Sequence, residues 1–165
     1  MRKPVKLSKD VVNLLLPRLK NEYEAFYFYN AASNYCKNVG YEIAAEYFAK
    51  ESKDELEHAK FLEDFLVGWN VIPELPKIDV PQLMFKSLVE VIEKSYEIEF
   101  DLYEDYEKTA SDILKLGDIS VFDMLKKYLE IQTKSVAEYS DMLNILEGCN
   151  ESSKFELLML EKKLF

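Results

Sequence analysis

Five side chains able to hold a cation recur at one depth of the hydropathy pattern: Glu22, Glu55, His58, Glu99 and Gln132. Glu55 and His58 are three residues apart, a spacing at which adjacent turns of a helix present an oxygen and a nitrogen to one ion. His58 is the only histidine in 165 residues. Alone on an apolar face it would read as a core histidine with its ring nitrogens satisfied. Its spacing to Glu55, and the other carboxylates at the same depth, reverse that reading. Oxygen-rich ligation with one imidazole suits iron, and manganese or zinc also fit the ligand types.

These residues act together only if the chain brings them to a common height. Four Gly and five Pro leave few positions for the tight turns of a sheet protein, so an all-α fold is expected. Ser8-Lys9-Asp10 signals a helix start. The pattern predicts a first helix over about 8–39, a turn at Gly40, and a second helix over about 41–67. Pro73, Pro76 and Pro81 make 68–82 an extended crossover. A third helix follows over about 83–116, a fourth over about 120–146 and a short amphipathic fifth over about 152–165. Pro17 implies either a kink or a later start for the first helix. Residues 1–165 read as a single domain, a four-helix bundle of two hairpins joined by a long crossover.

Each long helix carries a stripe stepping by four and three residues. The first reads Leu15, Leu19, Glu22, Phe26, Tyr29, Ser33, Cys36, and the second Ala44, Phe48, Glu51, Glu55, His58, Leu62, Phe65. The third reads Leu88, Ile92, Ser95, Glu99, Leu102, Tyr106, Thr109, and the fourth Val121, Leu125, Tyr128, Gln132, Ser135, Tyr139, Met142, Leu146. From Glu22 to Gly40 is 18 positions, and from Gly40 to Glu55 and His58 is 15 and 18. The second hairpin repeats this, with 18 from Glu99 to Gly117 and 15 from Gly117 to Gln132. All four helices therefore bring their polar residues to one level, about 27 Å from the turns. Burying carboxylates together costs several kcal/mol per charge, and no Lys or Arg stands in the stripes to offset it. A multivalent cation is the natural counter-charge.

A net charge of -10 argues against nucleic-acid binding. The basic start, Met1 to Leu7, resembles the first part of a signal peptide, but no long apolar region follows, so neither export nor a membrane span is expected. Cys36 and Cys149 form no framework and read as reduced thiols of a cytoplasmic protein.

The residues resemble the ferritin family over essentially the whole chain. N-E-Y-E-A-F-Y-F-Y matches with Glu22 as ligand and Tyr29 as the tyrosine beside the site, and D-E-L-E-H matches with Glu55 bridging and His58 as the imidazole. Glu99 in Y-E-I-E-F and Gln132 in Y-L-E-I-Q fall where ferritins carry a carboxylate and a glutamine. The resemblance implies a ferroxidase that oxidises Fe(II) with dioxygen or peroxide at a two-iron centre. It also implies storage of ferric mineral in a shell of identical subunits, 24 in the family. The second Glu-x-x-His of bacterioferritins is replaced by Gln132 and Ser135, and the haem methionine by Leu56, so no haem is expected. Additional helix-borne glutamates that hold a third iron in some bacterial ferritins correspond to Ile131, Lys134 and Ser135. Around the ligands, Glu51, Asp54, Glu57 and Glu130 are candidate transit or gathering carboxylates, against the plainer reading of solvated or lysine-paired groups. Two alternatives are a non-storage di-iron oxidase or peroxidase on the same bundle, and a catalytically silent scaffold.

Overall fold

The computed structural model describes residues 7–165. Most of the basic start discussed above, residues 1–6, lies outside the described residues. Five helices follow one another: α1 (Lys9–Val39), α2 (Glu42–Gly68), α3 (Leu88–Lys115), α4 (Ile119–Leu146) and α5 (Lys154–Leu164). There is no strand among the described residues, and no helix there is long and apolar enough to cross a membrane.

Helix starts and stops follow local chemistry. The Ser8 hydroxyl accepts from the Val11 N–H at 3.2 Å and opens α1. At its other end Gly40 adopts φ +91°, and the Tyr41 N–H donates to the Cys36 carbonyl at 2.8 Å, closing the helix with a left-handed turn. Pro17 lies inside α1, which runs through it unbroken. Pro17 cannot donate to the Asn13 carbonyl, and both residues are exposed, on the side of α1 where water can replace the lost bond. The third helix starts five residues later than the hydropathy pattern predicts, at Leu88. Ser87 accepts from the Glu90 N–H at 3.2 Å, and the Glu90 carboxylate accepts from the Lys86 N–H, a reciprocal cap that fixes the start. Upstream, Phe85 is buried edge-on against Phe28 and Tyr35, which pins the end of the crossover to α1.

α1 packs along α2 and α3 along α4, and α1 also packs against α3. Three cross-helix contacts set the register of α1 on α3. Arg18 donates to Thr109 at 3.2 Å, Tyr106 donates to Glu22, and Tyr29 donates to Glu99. Partner numbers fall as α1 numbers rise, so the two helices are antiparallel. On the other side Tyr128 donates to the His58 carbonyl at 2.7 Å and Tyr47 to Glu138 at 3.0 Å, making α2 and α4 antiparallel as well.

The core differs from the expected stripes at their edges. Phe26 and Phe65 are only partly buried, whereas Ala25, Phe28, Ala32, Ala59 and Leu66 are buried. A helix of 3.6 residues per turn drifts off a strict seven-residue seam, and the buried face rotates with it. α5 sits across the α1–α2 turn. Its Glu161, 4% exposed, accepts from the Ala44 N–H at 2.8 Å, and Lys154 donates to the Val39 carbonyl. A carboxylate thus meets the positive end of α2 and an ammonium the negative end of α1.

Candidate metal centre

Glu22, Glu55 and Glu99 are 0%, 3% and 0% exposed, which places three carboxylates inside the bundle. His58 Nδ1 lies 3.4 Å from Glu22 Oε2 and 3.4 Å from Glu55 Oε2. One donor atom from each of Glu22, Glu55 and His58 lies within 4.8 Å of the others, close enough to share an ion. Glu99 reaches the same group electrostatically, since its charge acts on Glu55 and those of Glu22 and His58 act on it. Gln132 is fully buried. The Tyr128–His58 bond places it across from Glu55, because four residues along α4 match three to four residues back along antiparallel α2.

Hydrogen bonding divides each end carboxylate in two. Glu22 Oε1 accepts from the Tyr106 hydroxyl and Glu99 Oε1 from the Tyr29 hydroxyl. Glu22 Oε2 has only His58 Nδ1 beside it, at 3.4 Å, while Glu99 Oε2 and both amide atoms of Gln132 are buried with no hydrogen-bond partner. Buried polar atoms are almost always paired, and apart from Arg18 Nε and the Tyr139 hydroxyl the orphans among the described residues gather at this one level, which calls for a ligand. The donor set, hard oxygens with one imidazole, fits a divalent cation such as iron.

Charge balance points the same way. Burial, then the Glu22 charge, pushes the Glu55 carboxyl well above its usual range. Burial pushes Glu99 up to about 8, against the donation from Tyr29. For His58, burial favours the neutral ring, but hydrogen bonds and charges from Glu22 and Glu55 outweigh it and raise the imidazole to about 10. The bundle alone therefore retains protons at this level, and a metal ion would displace them.

Arg18 is also buried, one turn before Glu22, yet it faces Asp105 at 3.2 Å and Thr109 rather than the cluster. Among the outer carboxylates, Glu51 is partly buried and raised to about 7, by burial and then by Glu138, with Lys50 3.9 Å away. Asp54 pairs with Lys50 at 2.7 Å, while Glu57 and Glu130 are exposed. None of these four belongs to the close-packed donor group. His58 alone of the donors reaches the surface, its side chain 20% exposed beside a cavity of about 190 Å³ lined by Phe61, Lys127, Tyr128 and Ile131.

Tyr106 stands in the expected seam of the third helix but not among the candidate site residues. Its signal was present: Glu22 and Tyr29 on α1 are seven residues apart, and so are Glu99 and Tyr106 on α3.

Fold and cluster together define an antiparallel four-helix bundle built around a carboxylate- and imidazole-lined interior. Residues 12–149 match the family described as Ferritin-like domain, and the chain belongs to the ferritin family. A probable bacterial non-heme ferritin-like protein of Haemophilus influenzae is 28% identical over 158 residues, covering 96% of this chain and 95% of its own length. A bacterial non-heme ferritin of Campylobacter jejuni is 29% identical over 145 residues, covering 88% and 87%. An open pore ferritin from Archaeoglobus fulgidus superposes with a TM-score of 0.89 at 22% identity, over 96% of this chain and 98% of that one. At that identity the superposition establishes the fold.

Proposed function

We propose that the chain is a ferroxidase subunit of an iron-storing shell. Glu22, Glu55 and His58 hold one Fe(II), Glu55 and Glu99 hold a second, and the Glu55 carboxylate bridges them. Gln132 turns its unpartnered amide toward the same level to orient water or oxidant. Two Fe(II) supply the two electrons that, with two protons, take dioxygen to hydrogen peroxide. Carboxylates stabilise Fe(III) more than Fe(II), which lowers the cost of oxidation. Tyr29 holds Glu99 in place through its hydroxyl. Asp54, Glu57, Glu51 and Glu130 are at most outer stations for cations in transit.

Assembly into a homo-oligomer, 24 subunits by family, is supported by apolar side chains left outside the bundle. Ile72 and Val80 on the crossover are 94% and 80% exposed, and Phe155 and Met159 on α5 are 76% and 66% exposed. Such residues suit contacts between copies. Ferric mineral would collect inside that shell, in the cytoplasm and without haem.

The observation that carries this reading is the set of buried carboxylates gathered around His58, with no Lys or Arg among the described residues paired to them. Glu55→Ala and His58→Ala should each slow rapid aerobic Fe(II) oxidation by about 100-fold while circular dichroism retains the helical signal. Stopped-flow absorbance measures the initial rate, and wild-type rates in both variants would overturn the assignment.

A further inference from the structure

α1 and α3 run antiparallel and carry the same Glu-to-Tyr spacing of seven residues, Glu22 to Tyr29 and Glu99 to Tyr106. The result is an exchange: each helix's tyrosine donates its hydroxyl to the other helix's carboxylate. Both tyrosines are 0% exposed, and each hydroxyl donates to the carboxylate of the other helix. Burial first, then the neighbouring carboxylate charges, drives both phenols well above their ordinary range. Each ring is also clamped. Tyr106 stacks on Tyr128 at 4.7 Å and 11°, and Tyr29 on Tyr139 at 6.3 Å and 8°. The hydroxyls cannot swing away without breaking a stack.

From this geometry we infer that Tyr106, paired with Tyr29, is a positioning residue that limits each end carboxylate to a single metal-binding oxygen. The inference rests on the di-iron reading above. In each case Oε1 is taken by a phenol, while Oε2 is buried and turned from it, without a partner on Glu99 and with only His58 Nδ1 at 3.4 Å on Glu22. A carboxylate free at both oxygens can chelate one ion through both. Holding one oxygen aside keeps a coordination position open on each ion, where oxidant must bind for oxidation to proceed. The tyrosines therefore trade metal affinity for turnover.

That trade separates this role from simple support. Tyr106→Phe keeps the ring and its stack on Tyr128 but removes the donor. Under anaerobic conditions, titration of the chelator-stripped assembly with Co(II) should give equal or tighter binding than wild type. The visible d–d absorbance per bound ion should be weaker, because higher coordination number weakens those bands. Aerobic Fe(II) oxidation should fall in kcat by about tenfold or more, with KM for Fe(II) unchanged or lower. Tyr29→Phe should do the same through Glu99, as an independent test on the other ion. Co(II) affinity and oxidation rate falling together would show mere structural support and overturn the inference, as would wild-type values for both variants. Should wild-type protein itself bind fewer than two Co(II) per chain, the di-iron reading fails first, and this outcome is distinguishable from the others.

Discussion

Replacing Glu99 by Gln should stabilise the metal-free protein while removing one of its metal positions. Glu99 is fully buried, and burial raises its carboxyl from an ordinary 4.5 to about 8. In the unfolded chain the group ionises near its ordinary value, so between pH 4.5 and about 8 the unfolded state sheds a proton that the folded state keeps. Folding stability therefore falls as pH rises through that window. At pH 7 the loss is about 3 kcal/mol, from about 1.4 kcal/mol for each tenfold in proton concentration. A glutamine can still accept from Tyr29 and never ionises, so it escapes this cost. For a chain of 165 residues the gain corresponds to roughly 10 °C in Tm. The assay is thermal unfolding of chelator-stripped wild type and Glu99→Gln from pH 4.5 to 9. The two curves should meet near pH 4.5 and diverge steadily to about pH 8. With divalent metal at a thousandfold excess over its Kd the order should reverse, since that adds about 4.1 kcal/mol at each site that binds it and the variant lacks one. A Glu99→Gln protein no more stable than wild type at pH 7, or a gap independent of pH, would refute the claim that Glu99 is held at an energetic cost.

Two further outcomes test the frame around the site. Glu161→Ala removes the only side chain that caps the Ala44 N–H, so it should cost about 1–2 kcal/mol in stability, with faster amide exchange at the start of α2. Pro17→Ala restores an α1 hydrogen bond to an exposed position and should raise stability by about 1 kcal/mol or more, read from denaturant midpoints, with oxidation rates unchanged.

The site was legible in sequence because its signal is a count. Equal distances from Gly40 and Gly117 to the polar stripe residues place Glu22, Glu55, His58 and Glu99 at one depth, and the Tyr106–Glu22 and Tyr29–Glu99 bonds show the register that this counting requires. The start of α3 was misjudged for a local reason: hydropathy cannot see a cap, whereas Ser87 with Glu90 three residues on is a readable capping box. Phe26 and Phe65 were assigned to the seam by integer steps, and helical drift carries them to its edge. Tyr106 was passed over because a buried tyrosine reads as packing until its hydroxyl has a partner, and that partner lies 84 residues away. Lys50 engages Asp54 and Glu51, a local i,i+4 and i,i+1 arrangement that sequence allows but does not demand.

The two halves of the centre are unequal, and the inequality bears on storage. α1 and α3 mirror each other in Glu and Tyr, but α2 supplies Glu55 and His58 where α4 supplies Gln132 and Ser135. On the proposed reading three carboxylates would face the four positive charges of two Fe(II), a near balance in a buried site. After oxidation the same three face six. A fourth carboxylate and a second imidazole on α4 would hold such a ferric pair as a resident cofactor. A neutral glutamine leaves the excess to be met by oxide or hydroxide from water, and each such ligand weakens the protein's claim on the metal. On the same reading, the residue classes at positions 132 and 135 therefore decide between keeping oxidised iron and passing it on.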